Sequence, residues 1–289
     1  MEEILSKIKL SRVEPSIVVK EIGNFIVNKI LSANKKGAVL GLSGGIDSTL
    51  VAYLTKKAFD DYNSNISESD KLKIYGLMLP SKSNKQLDSD LGIDVVKKLN
   101  IDYEIINIEP IAEVFIKVLD GKVSAEYSRG NLSSEIRAII LSRVAAFTNS
   151  LILGTGNRDE DYCLGYFTKR GDGQVDISPI GELSKRQVRE VATYIGVPDY
   201  IVNRTPTAGL WKGQTDEDEL GFSYLEAEII MAGKDQGYSR EELKKITNFG
   251  YIRKKGEGDV FIVDKVLDMH EKNKFKTELP PVAKITKIF

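Results

Sequence analysis

Residues 38–48 read Ala-Val-Leu-Gly-Leu-Ser-Gly-Gly-Ile-Asp-Ser, an apolar run that ends in a serine–glycine turn. The apolar run predicts a buried strand, and residues 49–58 have the apolar spacing of a helix. Backbone N–H groups at the start of a helix have no partner inside it. Together with the positive end of the helix dipole, they favour a bound polyanion. The stretch therefore predicts a pyrophosphate-binding turn between a strand and a helix.

The residue types in this turn indicate its chemistry. Gly44 and Gly45 allow the backbone to approach phosphates closely and tolerate positive φ. The hydroxyls of Ser43 and Ser48 can donate hydrogen bonds to phosphate oxygens. Asp47 would repel a phosphate unless a divalent cation lay between them, so its presence predicts Mg²⁺. No lysine follows the glycines, which distinguishes this turn from the phosphate loop of the P-loop nucleoside triphosphatases.

The composition excludes several classes of protein. The chain has 289 residues, a formal net charge of −1 and a single cysteine, Cys163. Near-neutral charge is unlike the basic surface of a nucleic-acid-binding protein, and one cysteine leaves no pair for a disulfide. No apolar stretch approaches the roughly 18 residues that cross a membrane, and the N-terminus lacks a signal-peptide pattern. We therefore expect one cytoplasmic domain over residues 1–289 that binds neither nucleic acid nor membrane.

Strand-like and helix-like segments alternate along the chain. The predicted strands are residues 38–42, 73–79, 103–108 and 151–153, and the predicted helices are residues 15–31, 48–60, 88–99, 110–119, 132–147 and 185–195. Such alternation predicts an α/β fold, a doubly wound, mostly parallel sheet with helices on both faces. Ligands of such sheets bind beyond the carboxyl ends of the strands, where the serine–glycine turn is expected to lie.

Further blocks of sequence carry a resemblance to a known family. Residues 154–161 read Gly-Thr-Gly-Asn-Arg-Asp-Glu-Asp, and residues 165–180 read Gly-Tyr-Phe-Thr-Lys-Arg-Gly-Asp-Gly-Gln-Val-Asp-Ile-Ser-Pro-Ile. Shorter matching blocks are residues 183–188, 205–208, 213–221 and 279–281. Together with the serine–glycine turn, these blocks resemble the ammonia-dependent NAD⁺ synthetases, which belong to the ATP pyrophosphatase (PP-loop) superfamily with its Rossmann-like fold.

The resemblance implies an activity. Enzymes of this family use ATP and ammonia to amidate deamido-NAD⁺ to NAD⁺. The nicotinate carboxylate attacks the α-phosphorus of ATP and forms an acyl-adenylate with release of pyrophosphate, and ammonia then displaces AMP. Such a reaction depends mainly on positioning and on neutralising phosphate charge. Adenylation and amidation of a different carboxylate is the alternative.

The resemblance also assigns roles to residues of this chain. ATP would be bound by Gly41, Leu42, Ser43, Gly44, Gly45, Ile46, Asp47, Ser48, Thr155, Lys185 and Thr207. The catalytic residues would be Asp47, Lys169 and Lys185, with Lys169 and Asp176 binding the dinucleotide. Asp47 and Glu160 would hold Mg²⁺. Asp161 is the alternative to Glu160, because the chain is one residue longer than the family pattern between this point and Lys169.

Two positions depart from the pattern in the half of the site that would bind the acceptor. Glu135 stands where the family has the first arginine of an arginine-x-arginine pair, and Arg137 retains the second. Near the C-terminus, Phe275 and Lys276 stand where the family has a histidine–lysine pair that contacts the substrate across a dimer. The ATP half is therefore expected to be intact and the acceptor half altered.

The resemblance further implies a homodimer that takes free ammonia, or ammonia from a separate glutaminase subunit. Residues 1–40 contain no cysteine and are too few for a glutaminase domain. The apolar face of residues 17–30 is expected either at the dimer interface or packed on the chain's own sheet. Cys163 is expected to be a packed bystander, His270 a surface residue and residues 216–219 a solvated charge run.

Overall fold

The structure is a computed structural model that describes residues 1–84, 86–123, 126–205, 215–254 and 258–286. Its strands are β1 (Gly37–Gly41), β2 (Lys73–Met78), β3 (Asp102–Ile105), β4 (Ser150–Ile152), β5 (Tyr251–Lys254) and β6 (Gly258–Phe261). Its helices are α1 (Glu2–Lys7), α2 (Pro15–Ser32), α3 (Ile46–Asn63), α4 (Gln86–Leu99), α5 (Glu109–Leu119), α6 (Glu126–Phe147), α7 (Lys185–Ile195), α8 (Asp199–Val202), α9 (Asp216–Leu220), α10 (Tyr224–Asp235), α11 (Arg240–Thr247) and α12 (Ile262–Asn273).

The first four strands form a parallel sheet in the order β3-β2-β1-β4. Val39 of β1 pairs with Tyr75 of β2 on one side and with Ile152 of β4 on the other. Because successive side chains of a strand point to opposite faces, Val39 packs in one apolar cluster while its neighbours Ala38 and Leu40 pack in another. Helices cover both faces, so the predicted α/β fold with a parallel, doubly wound sheet is confirmed.

Helix α2 packs against helices α3 and α7 of the same chain. Its residues Val19, Ile26 and Ile30 are buried in the cluster that also contains residues of α3 and α7. Of the two expectations for residues 17–30, packing within the chain is therefore confirmed for the buried face.

The C-terminal third forms a further apolar cluster that the sequence patterns did not predict. It contains residues of α10, α11 and α12 together with Cys163 from a π-helical turn (Asp159–Leu164). Cys163 is fully buried, as expected of a packed bystander. Strands β5 and β6 form an antiparallel hairpin separate from the main sheet.

Across the described ranges, none of the helices combines the length and apolar character needed to cross a membrane.

Candidate active site

A cavity of about 590 Å³ lies at the carboxyl ends of the parallel strands. Its lining includes Gly41 and Met78, the last residues of β1 and β2, and Leu153, which follows β4. Parallel strands end at the same edge of a sheet, so the turns that follow them meet around one space. The serine–glycine turn is therefore brought beside residues 154–156 although more than a hundred residues separate them in sequence.

The serine–glycine turn is ordered by its own hydroxyls. The Ser48 hydroxyl donates to the Gly45 carbonyl oxygen at 3.2 Å and accepts from the Ser43 backbone N–H at 3.3 Å. Gly44 has a φ of +74°, and a Cβ there would lie 2.4 Å from the Asp88 carbonyl oxygen, so only glycine fits. Except for Gly44, every residue of 41–48 lines the cavity. The N-terminus of α3 thus faces the cavity, as an anion site requires.

Three charged side chains meet beside this turn, and we call them the carboxylate–lysine cluster (Asp47, Glu160 and Lys185). The Lys185 Nζ lies 2.6 Å from Asp47 Oδ2 and 2.8 Å from Glu160 Oε1. The lysine side chain is only 4% exposed. Asn157 donates a further hydrogen bond from Nδ2 to Asp47 Oδ1 at 3.0 Å. The structure therefore brings together three predicted site residues from distant parts of the chain.

Local backbone structure holds this cluster in place. Ser184 and Gln187 form a capping box that starts α7, so Lys185 is the first residue of the helix. Its backbone N–H donates to the buried carboxylate of Asp159 at 2.8 Å. Asn157 Oδ1 accepts from the backbone N–H groups of Asp159 and Glu160, at 3.0 and 3.1 Å, and so starts the π-helical turn. Asn157 is a positioning residue that the sequence analysis missed.

Burial dominates the electrostatics of the π-helical turn. It raises the pKa of Glu160 to about 8, and the nearby Lys185 ammonium opposes this rise. It also raises the pKa of Asp159 and of Asp161 to about 7. Although burial lowers the pKa of Lys185, Asp47 and Glu160 together raise it above its usual range. Desolvated carboxyl groups outnumber cations here, which favours an added cation.

Two further residues complete the polar environment of Glu160. The Tyr224 hydroxyl lies 2.9 Å from Asp216 Oδ2 and 3.3 Å from Glu160 Oε1. Asp216 is only 4% exposed, so the expectation of a solvated charge run over residues 216–219 is wrong at its first residue. The reason is that Tyr224, at the start of α10, supplies a buried hydrogen-bond donor to this carboxylate.

Two further cations of the cavity lining bind main-chain carbonyl groups. Arg137 Nε donates to the Leu79 carbonyl oxygen at 2.9 Å, and burial lowers the pKa of Arg137 to about 10. Lys276 Nζ donates to the carbonyl oxygens of Gly165 and Phe167, at 2.7 and 2.9 Å. Both side chains line the cavity.

Four other predicted acceptor residues do not line the cavity: Glu135, Lys169, Asp176 and Phe275. Lys169 Nζ donates to the carbonyl oxygens of Phe275 and, at 3.1 Å, of Glu278. Asp176 accepts from the backbone N–H of Ile152 at 2.7 Å, which pairs it with the end of β4. The structure thus gives Lys169 and Asp176 intramolecular main-chain partners.

The bonds of Lys169 and of Lys276 to carbonyl oxygens are called here the lysine–carbonyl contacts. They run in opposite directions between the residues 165–169 and the residues 275–278. The C-terminal segment is thereby tied to the Gly-Tyr-Phe-Thr-Lys block of the same chain. Thr155 lines the cavity, whereas Thr207 lies outside the described residues.

His270 is buried, contrary to the expected surface location. It is 7% exposed, and its Nδ1 lies 3.0 Å from the Tyr162 carbonyl oxygen, to which it therefore donates. The Lys234 ammonium lies 3.2 Å from Nε2. The imidazole connects α12 to the π-helical turn, and the carbonyl groups left free by the wide turn explain why a donor is buried there.

The cluster fits a divalent cation with phosphate oxygens. Within the described ranges, no group of three or more His, Cys, Asp or Glu side chains is arranged to hold a metal ion. Mg²⁺ bound with a nucleotide needs only one or two carboxylates, because phosphate and water oxygens complete its shell. The oxygens of Asp47 and Glu160 already converge on one cation, the Lys185 ammonium.

Comparison with known proteins identifies the family. The NAD synthase family model matches residues 18–280. The NH₃-dependent NAD⁺ synthetase of Methanocaldococcus jannaschii is 39% identical over 272 residues, covering 93% of this chain and 96% of that protein.

Two solved structures are similar along most of the chain. NMN synthetase from Francisella tularensis has a TM-score of 0.78 and 30% identity, covering 95% of this chain and 100% of that one. NH₃-dependent NAD synthetase from Campylobacter jejuni has a TM-score of 0.72 and 25% identity, covering 94% and 100%. Because both the family model and the M. jannaschii relative match most of its length, the chain belongs to the NAD synthase family of C–N ligases.

Proposed function

We propose that this chain amidates deamido-NAD⁺ to NAD⁺ with ammonia, and that it consumes ATP and releases AMP and pyrophosphate. The observation that carries the proposal is the carboxylate–lysine cluster beside the serine–glycine turn. Forming an acyl-adenylate requires that negative charge on phosphate oxygens be neutralised as pyrophosphate leaves. A buried lysine and a helix N-terminus supply positive charge, the paired carboxylates would hold a cation that adds to it, and no nucleophilic side chain is required.

The ATP phosphates would bind along the serine–glycine turn. Ser43, Gly45 and Ser48 line the cavity there, and the first turn of α3 presents backbone N–H groups. Thr155 lies on the same cavity and would contact ATP from the β4 side. Thr207 remains a proposed ATP ligand on the strength of the family resemblance.

Asp47 and Glu160 would hold Mg²⁺, which neutralises charge on the phosphates when it is bound. Lys185 occupies the place between these carboxylates, and its ammonium would turn to the phosphate oxygens when a metal ion takes over its partners. The position of Asp161 supports Glu160 as the second ligand. The Asp161 carboxylate lies directly against Gly156, since a Cβ added to Gly156 would be 2.3 Å from Asp161 Oδ2. Glu160, not Asp161, is therefore the proposed second ligand.

The acceptor would bind on the side of Arg137 and Lys276, which line the cavity. Lys169, Asp176 and Phe275 are proposed acceptor residues that currently make contacts within the chain. For Lys169 to reach the acceptor, its ammonium must leave the carbonyl oxygens of Phe275 and Glu278. Its proposed catalytic role therefore requires that these two hydrogen bonds be broken.

The test is the formation of AMP and NAD⁺ by the purified chain with ATP, Mg²⁺ and deamido-NAD⁺, with ammonium or glutamine as the nitrogen donor. We expect equal amounts of AMP and NAD⁺ with ammonium and none with glutamine alone. ATP binding without NAD⁺ formation would contradict the proposed acceptor. Activity with glutamine alone would contradict the proposed need for free ammonia or a separate glutaminase subunit.

We propose further that residues 1–289 act as one cytoplasmic domain and form a homodimer. The cavity is lined both by Asp47 of α3 and by Lys265 of α12, which supports one functional unit. Exposed apolar side chains on α5 and α6, including Val118 (74% exposed) and Phe147 (91% exposed), support burial by a second copy. Sedimentation equilibrium at micromolar concentration tests this, since a monomer would exclude the dimer.

The second candidate function is amidation of nicotinate mononucleotide to NMN. One observation favours it: the similarity to an NMN synthetase structure. The ATP half would act unchanged on this smaller acid. The ratio of kcat/KM for the mononucleotide to that for deamido-NAD⁺ decides between them, since the preferred acceptor has the higher value.

A further inference from the structure

Tyr224 lies in the interior beside the carboxylate–lysine cluster and has no role in the proposed mechanism so far. Its hydroxyl is within hydrogen-bond distance of Glu160 and of Asp216, and its ring centroid is 5.2 Å from Lys185 Nζ. We propose that Tyr224 is a positioning residue that holds the Glu160 carboxylate in place for Mg²⁺. This inference rests on the proposed function only in taking Glu160 as a metal ligand.

The Tyr224 hydroxyl is held in a fixed position. The residue is 4% exposed and is the first residue of α10, whose start is set by a capping box between Ser223 and Glu226. Its ring packs in the C-terminal apolar cluster. Because helix start and ring are both held, the hydroxyl has little freedom to follow a carboxylate that moves.

One hydroxyl hydrogen serves two carboxylates. Tyr224 can donate to Asp216 at 2.9 Å or to Glu160 at 3.3 Å, and the two carboxylates repel each other in a desolvated site. A fixed donor between them lowers this repulsion. It also sets the position of Glu160 Oε1, the oxygen that contacts Lys185.

Glu160 Oε1 would keep a hydrogen-bond donor when a metal ion binds. Glu160 Oε1 accepts from Lys185 at 2.8 Å and from Tyr224 at 3.3 Å. If Mg²⁺ displaces the lysine, Tyr224 remains as a hydrogen-bond donor to this oxygen. Donors behind a metal-binding carboxylate orient it and commonly contribute to metal affinity.

The experiment measures binding of Mn²⁺, a spectroscopic substitute for Mg²⁺, by electron paramagnetic resonance. The full-length chain is saturated with an ATP analogue that has a methylene group between the α- and β-phosphorus atoms. For Tyr224→Phe, which keeps the ring, we expect the Mn²⁺ Kd to rise roughly tenfold. The matched control is Tyr53→Phe: the Tyr53 hydroxyl is buried and has no hydrogen-bond partner among the described residues. We expect its Kd to stay within about twofold of that of the unmodified chain.

A double-variant comparison separates positioning from a general structural effect. On a Glu160→Gln background, Tyr224→Phe should change the Mn²⁺ Kd by no more than about twofold, because the carboxylate that Tyr224 is proposed to position has been removed. An unchanged Kd in the single variant would overturn the inference. An equal loss of Mn²⁺ affinity on the unmodified and the Glu160→Gln backgrounds would also overturn it. The same holds if Tyr224→Phe lowers the melting temperature but leaves the Mn²⁺ Kd unaltered. If the chain binds Mn²⁺ with the analogue but makes no NAD⁺, the proposed function fails while this test still stands.

Discussion

The carboxylate–lysine cluster and the lysine–carbonyl contacts both contain buried or half-buried lysines, but the groups that these lysines bind differ in charge. In the cluster, Lys185 binds two carboxyl groups, so its departure removes the cation that favours their charged form in a desolvated site. In the contacts, Lys169 and Lys276 bind neutral carbonyl groups of the chain. A cation that leaves the cluster must be replaced by another cation, whereas a carbonyl group can be satisfied by water.

The difference indicates how each side of the cavity meets its ligand. In the proposed function, the cluster would take a metal ion and a triphosphate, and binding would exchange one set of charge pairs for another. The lysine–carbonyl contacts hold the C-terminal segment in a state in which Lys169 points away from the cavity. We therefore expect substitutions in the cluster to affect chemistry and substitutions in the contacts to affect acceptor affinity.

The largest effect is expected for Asp47→Asn. Loss of one carboxylate charge removes a proposed metal ligand and leaves Lys185 with one anionic partner. We expect pyrophosphate release at saturating ATP to fall by about 10³-fold. Circular dichroism should show an unchanged fold, and turnover close to that of the unmodified chain would remove Asp47 from the metal site.

The second largest effect is expected for Lys185→Ala, which should lower kcat/KM for ATP by about 10²-fold. It also leaves Asp47 and Glu160 facing each other without a cation, which should lower the free energy of unfolding by about 3 kcal/mol. Steady-state kinetics and urea denaturation measure the two effects. A rise confined to the KM of the acceptor would instead place Lys185 on the other ligand.

Lys169→Met tests the lysine–carbonyl contacts. Because its charge would act on the acceptor, we expect the KM for deamido-NAD⁺ to rise roughly tenfold while the KM for ATP stays constant. Initial rates at varied concentrations of each substrate measure this. An equal loss for both substrates would mean that Lys169 belongs functionally with the cluster.

The smallest effect is expected for Glu135→Arg. Glu135 does not line the cavity, so kcat/KM for deamido-NAD⁺ should change by no more than about twofold. Comparing this variant with the unmodified chain on deamido-NAD⁺ and nicotinate mononucleotide tests it. A large change in the ratio of the two acceptors would show that residue 135 reaches the substrate after all.

The sheet and its ATP side could be predicted from sequence because their signals are local. The apolar run 38–40, the serine–glycine turn and Lys185 at a helix start lie in continuous motifs, and the structure brings them together. Strand β3 ends at Ile105, earlier than the predicted residue 108. Residues 106–108 share the apolar pattern but lie beyond the ladder with β2.

The tertiary partners could not be predicted in this way. Asn157, Tyr224 and His270 act through contacts with residues far along the chain, and no periodic pattern marks a buried hydroxyl or imidazole. The position of Glu135 shows a related limit. Successive helix residues point about 100° apart, so Ser134 and Arg137 line the cavity while Glu135, which lies between them in sequence, does not.

The π-helical turn (Asp159–Leu164) bears on the choice of the proposed second metal ligand. Counting forward from Thr155 selects Glu160, whereas counting backward from Lys169 selects Asp161. A π-helical turn contains one residue more than an α-helical turn, so it takes up an insertion without lengthening the path. The turn closes through the Tyr166 backbone N–H, which donates to the Glu160 carbonyl oxygen at 2.8 Å, and Gly165 ends it with a φ of +57°. Such a turn would take up the extra residue that the family resemblance implies, downstream of Glu160. The chain can vary in length at this point while the spacing from Thr155 to Glu160 and the docking of the following block are both preserved.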